Sequence, residues 1–152
     1  MTNVDEVRRT AVRLIETLHE GPLRELLSDD LEWWSPGRGS LTLDELYQNV
    51  GKFRSYMAQP SRMTIQTVTV EDDRAAIECR GDGRLKDGRS YNNVYHFLVR
   101  VKDGKVVEVH EHNDTGYAAT IFSDLLGESG RRGNPSPLRN GTRTPRSSSS
   151  SV

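Results

Sequence analysis

The 152-residue chain has a single cysteine, Cys79, so no disulfide can form within it, and a reducing compartment is the expectation. Nowhere does an apolar run approach the ~20 residues needed to cross a bilayer. The opening MTNVDEVRRTAV has acids where a signal peptide needs basic and then apolar residues. A cytoplasmic protein with no membrane partner is the expectation. Hydrophobic residues make up only 34% of the chain and charged ones 28%, so part of it should not fold. The charge is unevenly spread. Residues 127–152 carry five arginines against Glu128, a net +4, which leaves −5 on residues 1–126. An acidic folded part argues against nucleic-acid partners, which need a basic face.

What is present divides the chain into a domain over 1–126 and a Gly/Pro/Ser/Arg-rich basic tail over 127–152, expected to be disordered. Val4, Val7, Ala11, Leu14, Ile15 and Leu18 recur at helical spacing and predict a first helix. A short second helix is expected around Leu23, Leu26 and Leu27, then a strand near Leu31–Ser35. Thr42 and Glu45 form a capping box for a third helix, which carries Leu43, Leu46, Tyr47, Val50, Phe53 and Met57 on one side and should stop at Pro60. From Arg62 to Asn113 the pattern changes to strands joined by EDD, KDGR and KDGK, an antiparallel meander. Asp114 or Thr115 can cap a short last helix.

The stretch KVVEVHEHND, Lys105 to Asp114, concentrates the chemistry. A two-residue turn at Asp103-Gly104 would pair Phe97 with His110 and His96 with Glu111. One face would then hold Val94, His96, Leu98, Val107, Val109 and Glu111. The other would hold Tyr95, Phe97, Val99, Val101, Val106, Glu108, His110 and His112. The first set is aliphatic enough to face the helices, while the second suits a sheet-mediated dimer. His96 and Glu111 would be inward neighbours, able either to exchange a proton near neutrality or merely to satisfy one another as a buried polar pair. A metal reading competes, since GKVVEVHEH fits the G-x5-H-x-H opening of a cupin motif; the glutamate and second histidine motif that should follow are missing. His19 reads as a surface residue at a helix end, and Cys79 as a small buried hydrophobe.

The order of elements, with YNNVYHF, the DGK hairpin and the EHNDT ending, resembles the nuclear transport factor 2-like superfamily, in its SnoaL-like and ketosteroid-isomerase-like branch. The resemblance covers about residues 4–126. It implies an α+β conical barrel, a strongly curved antiparallel sheet packed on about three N-terminal helices with a short C-terminal helix. Such a cone commonly encloses an apolar pocket and dimerises through the sheet's outer face.

Where the steroid isomerases have an oxyanion-holding tyrosine, a proton-shuttling aspartate and a protonated aspartate, this chain has Leu14, Ser35 and His96. That mechanism therefore lacks its donors. SnoaL-like cyclases work with a histidine and an acid, for which His96 with Glu111, or Asp114 at the strand end, are the nearest counterparts. Leu14, Trp33, Ser35, Tyr47, Phe53, Leu98, Val109, Asn113 and Asp114 are the expected substrate-binding residues. The resemblance implies either a cofactor-independent isomerase, cyclase or lyase for an apolar cyclic or polyketide-like molecule, or a non-catalytic member that binds a ligand or a protein. Neither needs a metal or other cofactor.

Overall fold

The computed structural model describes residues 3–126; the tail expected over 127–152 lies outside the described residues. Helix α1 spans Val4–Thr17. The side chain of Asn3 accepts a hydrogen bond from the Asp5 N–H at 2.9 Å, and Asp5 and Glu6 complement the positive end of the helix. Val7, Ala11, Leu14 and Ile15 are buried along one side, as the spacing predicts.

The short second helix is only a 3-10 turn, Arg24–Leu26, and runs directly into β1, Leu27–Ser35. After β2, Gly39–Leu41, helix α2 covers Leu43–Tyr56. Its capping box is formed as read: the Thr42 N–H donates to the Glu45 carboxylate at 3.1 Å, and the Glu45 N–H donates to the Thr42 hydroxyl at 3.3 Å. The helix ends at Tyr56, before Pro60, because the chain turns into strand at Met57. Pro60 sits inside β3, Met57–Glu71, where an edge strand with register shifts tolerates a residue without an N–H.

Strands β4, Arg74–Leu85, β5, Ser90–Lys102, and β6, Lys105–Asn113, complete the meander, and α3, Thr115–Leu126, follows. The sheet order is β2-β1-β6-β5-β4-β3. Every pairing is antiparallel except β1 with β6. This is the expected α+β cone, with a curved sheet that remains open at β2 and β3. The core lies between the sheet and the helices and includes Leu14, Ile15, Leu46, Ile77, Phe97, Val99 and Val109. Tyr91, Phe122 and Met57 form a second cluster under α3.

The register of β5 on β6 differs from expectation by one residue. The Asp103-Gly104 turn forms as read, with φ of 52° and 73°, and Lys102 opposes Lys105 and Val101 opposes Val106. Arg100 then pairs with Glu108, leaving Val107 as the extra residue of a β-bulge. Beyond it, Phe97 faces Glu111, and His96 faces His112. A one-residue slip inverts every side chain of one strand relative to its partner. On β5 the buried set is therefore Tyr91, Asn93, Tyr95, Phe97, Val99 and Val101, whereas Val94, His96 and Leu98 point outward. On β6 the inward assignment of Val109 and Glu111 stands.

Candidate functional site

The bulge carries Glu111 to the inner side of the sheet without His96. His96 is exposed on the outer face, between Glu78 of β4 and His112 of β6, so the expected His96 and Glu111 pair does not exist. Leu98 leaves the expected site for the same reason. Tyr95 and Phe97, expected on a dimer face, are 6% and 0% exposed and belong to the interior.

Glu111 finds other partners. Trp33, beside Val109 in the parallel β1·β6 pairing, donates its indole N–H to Glu111 Oε2 at 2.7 Å. Asn113, two residues along the same face, donates from Nδ2 to Oε1 at 3.4 Å. Burial raises the Glu111 pKa above the usual carboxylate value, and the Trp33 bond, the Asn113 bond and the Arg38 guanidinium each pull it partly back. The carboxyl is thus held by two side-chain donors in a place that disfavours its charge.

Around it lie groups that the sequence reading did not bring together. Cys79 opposes Tyr95 on the neighbouring strand, and burial, with the Glu111 charge adding to it, pushes its thiol up to about 12. It is a packing residue and not a nucleophile. The Tyr95 ring stacks on Phe97, with centroids 5.7 Å apart, and burial raises its hydroxyl well above the ordinary value. Gly81 and Gly83 pair in regular register with Asn93 and Tyr91 of β5. At Gly81 a Cβ would stand 3.1 Å from the Tyr95 ring and 3.3 Å from Ser61 Oγ, so the bare backbone makes room for both.

Asn93 is the anchor of this end of the sheet. It is 2% exposed and makes four bonds. Its Oδ1 accepts from the backbone N–H groups of Val94 at 2.8 Å and Asp114 at 3.3 Å, while Nδ2 donates to the Tyr91 hydroxyl at 2.9 Å and to the Asp114 carbonyl at 3.2 Å. Asp114 itself, expected in the site, is exposed and caps α3 by accepting from the Tyr117 N–H at 2.9 Å.

His19 is not a surface residue. It lies in the turn after α1, 7% exposed, with its ring 4.7 Å from Phe53 and 5.8 Å from Tyr95. Burial lowers its pKa from 6.5 to about 4, so the imidazole is neutral at physiological pH. Its Nδ1, Ser61 Oγ and Asn113 Oδ1 are buried with no hydrogen-bond partner among the described residues. An unsatisfied buried polar atom costs about 1–3 kcal/mol.

The remaining expected residues are distributed as follows. Val109 is wholly buried and faces inward, and Asn113 is half-buried beside Glu111. Ser35, half-buried, is two residues from Trp33 and so on the same face of β1. Phe53 covers His19. Leu14 is core with no exposed surface, and Tyr47 donates its hydroxyl to the Pro22 carbonyl at 2.7 Å, tying α2 to the loop after α1.

The two conspicuous histidines are on the other side. Their rings flank Trp34, with centroids 5.7 Å away for His110 and 5.3 Å for His112, and His110 Nε2 is 3.2 Å from Glu108. Among the described residues no group of three or more His, Cys, Asp or Glu is placed to hold an ion. A groove of about 410 Å³ is lined by outward residues such as Glu78, His96 and His112 and also by Cys79, Tyr95 and Asn113. No helix among the described residues is long and apolar enough to cross a membrane.

Similar folds are found among solved structures. IdmH from Streptomyces antibioticus, assigned as a polyketide cyclase, is 21% identical over 77% of this chain and 98% of its own, with a TM-score of 0.63. The BvnE pinacolase from Penicillium brevicompactum is 13% identical, covering 81% of this chain and 93% of its own, at a TM-score of 0.71. A SnoaL-like protein from Jannaschia sp. CCS1 is 14% identical over 84% of this chain and 97% of its own, at 0.68. At such identities the likeness speaks for the fold alone. No curated protein matches the chain in sequence. The profile of the SnoaL-like domain does match, over residues 11–109, a span running from the middle of α1 to the strand that presents Glu111; the chain belongs to the SnoaL-like family.

Proposed function

We propose that this protein is a cofactor-independent acid-base enzyme, an isomerase, cyclase or lyase for a small apolar cyclic or polyketide-like molecule bound on the inner face of the sheet. The observation that carries the reading is Glu111: a carboxyl raised in pKa by burial, oriented by Trp33 and Asn113, and set among aromatic walls. As a carboxylate it can remove a proton from carbon beside a carbonyl. As the resulting acid it can return that proton to another carbon or to oxygen, so the proton balance closes without a cofactor. The proton-transfer role expected of His96 and Glu111 together passes to Glu111. The polyketide cyclase assignment of IdmH and the pinacolase activity named for BvnE support rearrangement chemistry of this kind.

Identifying the small molecule that co-purifies with the protein supplies the substrate for the test. Glu111→Gln should then lower turnover by roughly 10²–10⁴-fold while leaving binding and folding intact. Unchanged turnover would reject the enzyme and leave the non-catalytic ligand- or protein-binding member of the family. The outer face, with Val94 48% exposed and Leu98 half-buried, supports a homodimer formed sheet to sheet; sedimentation as a monomer at micromolar concentration would reject it. The buried, unreactive Cys79 is in keeping with a cytoplasmic setting.

A further inference from the structure

We infer that His19 is a second hydrogen-bonding group of the interior site, and that the site takes an uncharged ring molecule bearing a hydroxyl or ketone oxygen, in preference to a carboxylate. The inference rests on the inner face being the working site and adds to that reading the polarity of what binds there.

The geometry is local and specific. His19 comes from the turn after α1 and lies against Tyr95, with ring centroids 5.8 Å apart. Tyr95 is paired across the strands with Asn113, which hydrogen-bonds Glu111. Tyr95 thus neighbours both the imidazole and the residue that holds the acid. Ser61 borders the same tyrosine ring at Gly81. His19 Nδ1, Ser61 Oγ and Asn113 Oδ1 come from three different elements, and each is buried without a partner among the described residues. Phe53, 4.7 Å from the imidazole, supplies an aromatic wall.

Charge then selects the guest. Glu111 is an acid on this face, and Arg38, the cation that bears on it, lies in the exposed turn between β1 and β2. The deeply buried imidazole is uncharged. A carboxylate ligand would meet Glu111 without, among the described residues, a buried cation to offset it, which is costly in an apolar setting. A phenol or ketone oxygen asks only for a neutral donor or acceptor, which Nδ1 and Oγ provide.

The test compares naphthalene, 2-naphthol and 2-naphthoate as probes on the full chain. The wild type should bind 2-naphthol at least about tenfold tighter than naphthalene, a step of one hydrogen bond, and 2-naphthoate more weakly than 2-naphthol. His19→Phe keeps the aromatic packing and should bring the naphthol-to-naphthalene ratio close to one. An unchanged ratio in that variant, a naphthoate that binds tightest, or no binding of 2-naphthol would each overturn the inference. Should His19→Phe not fold, the unmodified protein decides: its His19 ring nitrogen resonances should move on saturation with 2-naphthol, and static His19 resonances with naphthol bound would overturn it. All these readouts are binding, so they stand apart from turnover. A protein whose Glu111→Gln variant keeps full activity but whose naphthol preference needs His19 loses the catalytic reading and keeps this one.

Discussion

The indole N–H of Trp33 donates to the carboxylate of Glu111 at 2.7 Å, joining two residues 78 positions apart in the chain. The bond exists because β1 lies parallel to β6 and places Trp33 beside Val109. It favours the charged carboxylate against the burial that disfavours it. Trp33→Phe should therefore raise the Glu111 pKa further. A bond to a charged group is worth about 1.5–3 kcal/mol, so the acidic limb of the kcat/KM profile should move upward by about one pH unit or more. A limb that stays in place would mean that Trp33 does not tune this acid.

Stability should fall in acid through His19. Its folded-state pKa, about 4, lies below the ordinary 6.5, so between these values the unfolded chain binds a proton that the folded one excludes. Folding free energy is then lost as pH falls through that window, by up to about 3 kcal/mol once both values are passed. Urea denaturation at pH 7 and pH 4.5 should show a smaller acid loss in His19→Phe than in wild type. Glu111, raised above its unfolded value, acts in the opposite sense, and its cost grows as pH rises through its folded pKa.

Asn93→Ala removes a side chain with four partners. The Val94 and Asp114 N–H groups and the Tyr91 hydroxyl lose their bonds to it in a largely buried place. Urea denaturation should show a loss of about 2–5 kcal/mol, with the α3 end loosening first in hydrogen exchange. A loss under 1 kcal/mol, on the order of one net hydrogen bond, would show that this anchor is dispensable.

Deleting Val107 tests the bulge. Val101 with Val106 and Arg100 with Glu108 are already partners on either side of it, so the shortened hairpin can keep the same pairs and the same faces. The variant should fold, with a straighter β6 and a lost or lengthened Trp33 to Glu111 bond, read as a shift in tryptophan emission. Misfolding, or an exchange of buried for exposed residues along β5, would contradict this account of the register.

Much of the fold was legible because it is written in local terms. The spacing of Val7, Ala11, Leu14 and Ile15 marked α1, Thr42 and Glu45 marked the start of α2, and Asp103-Gly104 marked a hairpin that forms as read. The faces of β5 were not legible from the turn, because nothing in the valine pair at 106 and 107 announces an extra residue. A signal was nevertheless present: on β5 the set Tyr91, Tyr95, Phe97, Val99 and Val101 is larger and more apolar than Val94, His96 and Leu98. Weighing buried area before turn geometry would have placed it inside, next to Glu111, and a bulge would have followed as the reconciliation. Ser61 and Asn93 were missed, and His19 was placed at the surface, for a different reason. Each is a lone polar residue whose role depends on neighbours brought from distant elements, and spacing carries no trace of that.

The parallel pairing of β1 with β6 also sets an order of events during synthesis. The β3-β4-β5-β6 meander joins neighbours in the chain and can close as it emerges, but β1 enters the sheet only through β6, with β2 at its other side. Trp33 and Trp34 can pair early with Leu41 and Ser40 of β2, but their partners on β6, Val109 and His110, are translated about 75 residues later. Closing so long a loop is slow compared with hairpin formation. The acid of the site thus acquires its tryptophan last, and a nascent chain stalled before β6 would hold Trp33 and Trp34 against β2 alone, with the other edge of β1 open.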